Sequence, residues 1–307
     1  MAIVNTTEAI TWEKTAQALE KLKESYPALQ VQNIATTAFG RTVQAVTLGT
    51  GPRKVLFSAS HHANEWITTL ILLKFLEDLT RAATAGEKLL GVDARQLLSR
   101  ATIGLVPMVD PDGVDLVTGA ILPGSDQYLR AEAYSRNYPE IPFPAGWKAN
   151  LNGVDLNLQY PARWLRAREI KFSQGFVRPG PRDYVGMYPL SQQESRGLAA
   201  YTQDFDPDIV VAFHTQGKEI YWEFDDIFVP GAEELGQVFA SVSGYTLAQV
   251  PESSSYAGYK DWFIQRFRRP GYTIEAGLGV NPLPISQFDE IYQDTLPILV
   301  AAIQGGV

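Results

Sequence analysis

Three short runs of this chain, Val55–Ser60, Ile103–Val109 and Ile209–His214, are apolar at nearly every position. A strand with one wet face alternates apolar and polar residues. An unbroken apolar run of this length is therefore expected of a strand covered on both faces. Between these runs the apolar spacing becomes helical: Trp12, Ala16, Leu19, Leu22 and Tyr26, with Thr11 as N-cap, then a long helix from about Trp66 to Arg81. Further helices are expected over about 191–205, 232–243, 260–266 and 289–303. Val31–Thr36 and Thr42–Leu48 read as strands around a turn carrying Gly40, and Tyr272–Glu275 as another short strand. Asp110-Pro-Asp-Gly has the composition of a turn, and Glu194 stands at capping-box spacing from Ser191. Residues 119–189 are rich in Pro, Gly and Arg with weak periodicity, and are expected to be irregular and functional. The alternation predicts an α/β fold around a largely parallel or mixed sheet. With no repeat and no composition break, the 307 residues are expected to form one domain over 1–307.

Composition narrows the chemistry. The chain has no cysteine, which excludes disulfides, iron–sulfur clusters and thiol nucleophiles, and its histidines are His61, His62 and His214. Any metal must be held by His, Asp and Glu. The most apolar stretch, Leu70–Leu79, is interrupted by Lys74, Glu77 and Asp78, far short of the ~20 residues of a membrane span. The first residues show neither a basic nor an apolar region of a signal peptide, so a cytoplasmic location is expected. A net charge of -8 argues against a nucleic-acid partner. The charge is uneven, however. Residues 130–182 hold nine basic against four acidic residues, a net +5 that would suit an anionic substrate.

In Ser60-His61-His62-Ala-Asn-Glu65, an apolar run ends where a helix is expected to begin. His62 and Glu65 are three apart and face the same way on a helical turn. His61 and Glu65, four apart, offer a competing register. His214 ends another apolar run, and the carboxyl ends of strands are where open α/β sheets bind ligands. Two imidazoles and a carboxylate, with a fourth position left for water, make a catalytic type of zinc site. No HExxH is present. Glu275 ends a short strand-like run beside glycines and is a candidate base for such a water.

These segments resemble the zinc carboxypeptidases of the carboxypeptidase A type. His62-Ala-Asn-Glu65-Trp-Ile-Thr is similar to their HxxE segment, Asn152-Gly-Val-Asp-Leu-Asn157 to G-V-D-x-N-R, Phe213-His214 to the third-ligand position and Tyr272-Thr-Ile-Glu275 to F-T-x-E; Phe39-Gly-Arg41 matches an early G-R turn. The resemblance implies a mixed, mostly parallel eight-stranded twisted sheet flanked by helices. It also implies one Zn2+ per chain on His62, Glu65 and His214, with Glu275 as general base. In the family an Arg follows the Asn and grips the substrate's terminal carboxylate; here Leu158 follows Asn157. The family's oxyanion Arg follows a Trp; here Lys148 follows Trp147, as a point charge without the planar fork. Ile264 stands where the mobile substrate-binding Tyr is expected, leaving Tyr256 or Tyr259 as substitutes.

Asp155-Leu-Asn-Leu158-Gln-Tyr-Pro-Ala and His62-Ala-Asn-Glu65 look most like the bacterial γ-D-glutamyl-L-diamino acid endopeptidases. These cut the bond between the γ-carboxyl of D-Glu and meso-diaminopimelate or Lys in peptidoglycan stem peptides. The expected partner is a peptidoglycan-derived peptide, with Asn157 holding a polar group and Glu223 or Asp225 meeting the diamino acid's amine. No LysM-like wall-binding module is seen, which favours soluble muropeptides. Three alternatives stand beside this reading: a carboxypeptidase of the same fold, a small N-acyl amino acid deacylase and a non-catalytic muropeptide-binding protein.

Overall fold

The computed structural model describes residues 2–305; Met1, Gly306 and Val307 lie outside the described residues. Among the described residues ten strands occur: β1 (Gln30–Thr36), β2 (Thr42–Gly49), β3 (Arg53–Ala59), β4 (Lys88–Leu89), β5 (Val92–Asp93), β6 (Ala101–Val106), β7 (Ile209–His214), β8 (Glu219–Tyr221), β9 (Thr246–Ala248) and β10 (Gly271–Glu275). Interspersed are α1 (Trp12–Ser25), α2 (Ile67–Ala85), α3 (Ala94–Arg100), α4 (Pro111–Val117), α5 (Asp126–Ser135), α6 (Trp164–Ser173), α7 (Gln193–Phe205), α8 (Ala232–Ser243), α9 (Tyr259–Phe267) and α10 (Phe288–Gln304). Eight strands form one sheet in the order β1-β2-β6-β3-β7-β10-β8-β9, while β4 and β5 make a separate hairpin. The pairings β6–β3, β3–β7, β7–β10 and β8–β9 are parallel; β1–β2, β2–β6 and β10–β8 are antiparallel. The sheet is thus mixed and mostly parallel.

The central strands β3 and β7 are buried on both faces, which explains their unbroken apolar sequence. On one face Val55, Phe57, Ile209, Val211 and Phe213 pack in a core with side chains of α1, α2, α3, α8 and α10. On the other, Leu56, Val210 and Ala212 pack with α7, α9 and Tyr160. Helices on both faces with parallel strands between them define an α/β architecture. No described helix is long and apolar enough to cross a membrane.

Several local expectations are corrected. Asp110-Pro-Asp-Gly does not end as a turn but opens α4, with Asp110 as N-cap accepting from Gly113 N at 3.0 Å and Pro111 in the first helical turn. Gly113 is needed there for space: a Cβ would lie 2.2 Å from Asp110 Oδ2 and 2.6 Å from Ala149 O. The capping box from Ser191 does not form. The N-cap is Gln192, Ser191 donates to Gln159 at 2.9 Å, and Glu194 accepts from Asn150. Residues 119–189 are not wholly irregular, since they contain α5 and α6. The strand read as Ile103–Val109 ends at Val106.

Candidate metal and active site

The carboxyl ends of β3, β7 and β10 open into a cavity of about 820 Å3. His62 caps a single 3-10 turn, Ala63–Glu65, that bridges β3 and α2. His214 is the last residue of β7 and pairs in parallel register with Glu275, the last residue of β10. Because side chains alternate along strands, His214 and Glu275 share the sheet face of Val210 and Ala212. Three positions far apart in sequence therefore meet where three strands stop.

His62 Nδ1 lies 2.8 Å from Glu65 Oε1, and His214 Nδ1 lies 2.9 Å from Glu65 Oε2 and 3.1 Å from His62 Nδ1. All three side chains are buried. The donor chemistry identifies what this cluster fits. Asp155 Oδ1 stands 3.1 Å from His62 Nε2, and a carboxylate there selects the tautomer with its proton on Nε2. The Nδ1 lone pair then points at a carboxylate and a second imidazole nitrogen. A cation between them would turn that repulsion into coordination. Donors about 2.0–2.1 Å from a tetrahedral zinc sit roughly 3.3 Å apart, close to the spacing here. Asp155 is itself placed by the local fold: it caps the short turn Leu156–Leu158, accepting from Asn157 N at 3.0 Å.

The electrostatics agree with this geometry. Burial opposes charge on Glu65, but His62 and His214 hold its carboxyl well below the usual range. Burial likewise opposes charge on Asp155, and His62 and Lys148 outweigh it. Burial, helped by the nearby Glu65 charge, raises Glu275 to about 8. A cation held by His62, Glu65 and His214 would offset the Glu65 contribution and draw Glu275 back down. Lys148 lines the same cavity, its Nζ 3.9 Å from Asp155 Oδ2, and stays protonated because Asp155 and Asp183 outweigh its burial.

His61 stands behind the site. Its ring stacks on His214 at 5.4 Å and its Nε2 is 3.3 Å from Tyr160 Oη, so it supports the His214 ring and takes no part in the cluster. Asn157 borders the cavity, and its Oδ1 accepts from Tyr259 N at 2.9 Å. The two tyrosines considered as substrate contacts differ in placement. Tyr259 contributes to the cavity lining, while its side chain is buried and its hydroxyl is 2.8 Å from Thr202 Oγ1 on α7. Tyr256 packs edge-on to Phe224, and neither it nor Glu223 is among the described residues lining the cavity. Glu223 instead accepts a bond from Lys260 Nζ through its carbonyl oxygen at 2.5 Å. Sequence reasoning passed over Asp155 as a histidine partner, and over Lys171, Arg182, Asp183, Tyr221 and Lys260 as cavity wall. The excess of basic residues over 130–182 was the available signal for Lys171 and Arg182.

Comparison with known proteins agrees with this architecture. The chain is 42% identical over 301 residues to γ-D-glutamyl-L-diamino acid endopeptidase 1 of Lysinibacillus sphaericus, covering 98% of this chain and 74% of that protein. It is 36% identical over 290 residues to an uncharacterized Bacillus subtilis protein, covering 93% of this chain and 74% of that one. The fold superposes on thrombin-activatable fibrinolysis inhibitor with a TM-score of 0.77 at 16% identity, over 99% of this chain and 77% of the other. It superposes on the murein-tripeptide amidase MpaA of Escherichia coli O157 with a TM-score of 0.54 at 18% identity, over 88% and 91% of the two chains. The profile of the zinc carboxypeptidases matches residues 15–298, so the chain with this buried His-Glu-His cluster at the end of a mixed eight-stranded sheet belongs to the zinc carboxypeptidase family.

Proposed function

We propose that this protein is a zinc-dependent peptidase that hydrolyses the amide between the γ-carboxyl of D-Glu and a diamino acid, meso-diaminopimelate or Lys, in peptidoglycan-derived peptides. The observation that carries the reading is the pairing of a metal-type cluster with Leu158. The cluster supports hydrolysis of an amide. Leu158 is buried against Trp164, Ala167 and Val185, where the family's carboxypeptidases present an Arg to the terminal carboxylate. Without that fork, exopeptidase recognition loses its main anchor. Likeness to the Lysinibacillus endopeptidase over nearly the whole chain supports the substrate class.

In this reading His62 Nδ1, Glu65 and His214 Nδ1 hold one zinc ion, with Asp155 fixing the His62 ring. The metal supplies a Lewis acid for the scissile carbonyl and lowers the pKa of water. Glu275 takes the proton of the attacking water on its carboxylate and returns it to the leaving amine of the diamino acid. Lys148 Nζ faces the charge that develops on the carbonyl oxygen. Asn157 holds a polar group of the peptide.

The test is incubation with L-Ala-γ-D-Glu-meso-diaminopimelate, with and without chelator, and identification of the products by mass. Release of L-Ala-D-Glu and free diaminopimelate, abolished by chelation and restored by zinc, is the expected outcome. Cleavage confined to α-linked peptides with a free C-terminus, and lost on C-terminal amidation, would instead make it a carboxypeptidase.

A further inference from the structure

Of the nine basic residues between 130 and 182, Lys148, Lys171 and Arg182 line the active-site cavity. The other six do not line it; among them Arg136 pairs with Glu132 at 2.9 Å, Arg163 with Asp225, Arg166 with Glu169 and Glu252, Arg130 donates to Asn152, and Arg168 lies over the Phe172 ring.

The segment carrying Arg182 is stitched into the cavity wall. Lys148 N and Ala149 N both donate to Pro181 O, at 2.7 and 2.9 Å, and Asp155 N donates to Tyr184 O at 2.9 Å. Asp183, in the left-handed region at φ 62°, turns its carboxylate back into this fold. Its two oxygens are both used: Oδ1 is ion-paired with Lys171 Nζ at 2.7 Å and Oδ2 accepts from Arg182 Nε at 2.6 Å. Lys171 and Asp183 are buried, whereas the Arg182 side chain is 43% exposed. Holding Nε fixes the plane of the guanidinium and leaves its Nη atoms without a hydrogen-bond partner among the described residues. The cavity lining as a whole carries no surplus of positive charge, since Lys148, Lys171, Arg182 and Lys260 share it with Glu65, Glu140, Asp155, Asp183, Asp261 and Glu275. What Arg182 offers is local: one planar fork, half-exposed at the cavity and pre-oriented through Nε, the arrangement that receives a carboxylate.

We propose that Arg182, oriented by the buried Lys171–Asp183 pair, binds a free carboxylate of the peptide substrate and so does the work that Leu158 cannot. This rests on the endopeptidase reading above for the identity of the peptide. That peptide carries two such groups near the scissile bond, the α-carboxylate of D-Glu and that of the diamino acid.

The experiment compares matched acid and amide peptides in wild type, Arg182→Gln and Arg182→Lys. The peptides are L-Ala-γ-D-Glu-meso-diaminopimelate, its D-isoglutamine form and its diamino acid α-carboxamide form. An α-linked acetyl-dipeptide with free or amidated C-terminus is run in parallel. kcat/KM is read on zinc-loaded protein and Kd by calorimetry on metal-stripped protein. Wild type should prefer one free acid over its amide by roughly 10- to 100-fold, the range of a charge-assisted hydrogen bond. Arg182→Gln should abolish that preference by weakening the acid alone, and Arg182→Lys should keep part of it. The amide that carries the penalty identifies which carboxylate is held. A preference unchanged in Arg182→Gln, or absent in wild type, overturns the proposal. If the γ-linked peptides are neither cut nor bound while the α-linked pair is, the endopeptidase reading fails and the α-linked pair decides the role of Arg182 by the same criterion. Lys171→Gln, which removes a prop without removing the fork, should weaken acid binding less than Arg182→Gln does.

Discussion

Glu275 and His214 are register partners on the neighbouring parallel strands β10 and β7, each the last residue of its strand. Their separation is therefore fixed by sheet pairing, with strands about 4.8 Å apart, rather than by a loop. In the proposed mechanism, a base held one strand away from a metal ligand would need no rearrangement to reach a water between them. Glu275→Gln should keep the zinc content of the wild type while lowering kcat by about 10²–10⁴-fold, the usual contribution of a general base. Metal analysis beside steady-state kinetics checks this, and full activity with zinc bound would rule out Glu275 as the base.

Lys148 lines the cavity without a close ion pair, its nearest carboxylate oxygen being 3.9 Å away on Asp155. A charge left available in this way suits an oxyanion. Lys148→Ala should lower kcat by about 10²–10³-fold with little change in zinc affinity. Lys148→Arg should recover part of the loss. Loss of zinc in the alanine variant would indicate that Lys148 acts through Asp155 instead.

Asp155 orients His62 from the far side of its ring, at 3.1 Å from Nε2. Asp155→Asn should weaken zinc binding by about 10–100-fold, as outer carboxylate partners of ligating histidines do. Competition with a fluorescent chelator measures it. Unchanged affinity would show that burial alone fixes the ring.

The elements that carry this machinery were readable where burial is two-sided. Val55–Ser60 and Ile209–His214 announce β3 and β7 because no residue in them meets water, and His62, Glu65, His214 and Glu275 all sit at or just beyond ends of central strands. Short elements such as β8 and the edge strand β9, three residues each, carry too few side chains for a pattern. Asp110-Pro-Asp-Gly misleads because the same residue types suit a turn and a helix start; here the Asp110 side chain caps the helix, its Oδ1 accepting from Gly113 N. The capping box fails because Gln159 takes the Ser191 hydroxyl and Asn150 takes Glu194, partners more than thirty residues away. The cavity wall was visible only as charge: the sequence marks 130–182 as basic, but long-range backbone bonds such as Lys148 N to Pro181 O decide which cations turn inward.

Zinc removal should be visible in stability as well as in activity. The native state holds two imidazole nitrogens and a carboxylate within 3.1 Å of one another, an arrangement the unfolded chain does not keep. Free zinc at 100 times its Kd should stabilise the protein by about 2.7 kcal/mol through mass action. Thermal scans with chelator and with graded zinc test this. A midpoint independent of zinc would mean the cluster does not bind it.

Glu194 provides a test of buried electrostatics remote from the metal. Its side chain is buried at the start of α7, with Asn150 Nδ2 donating to Oε1 at 3.2 Å. Burial raises its pKa from 4.5 to about 7. Between those values the native state keeps a proton that the unfolded chain has lost, so this group's contribution is complete below about pH 4.5 and fades as pH rises through 7. The span corresponds to roughly 3 kcal/mol. Glu194→Gln keeps an acceptor for Asn150 and has no proton to lose. Relative to wild type, the variant should therefore gain on the order of 3 kcal/mol in unfolding free energy between about pH 4.5 and pH 8. Denaturant unfolding of both proteins at the two pH values measures the change, and a difference that stays constant with pH would show that Glu194 titrates normally in the folded state.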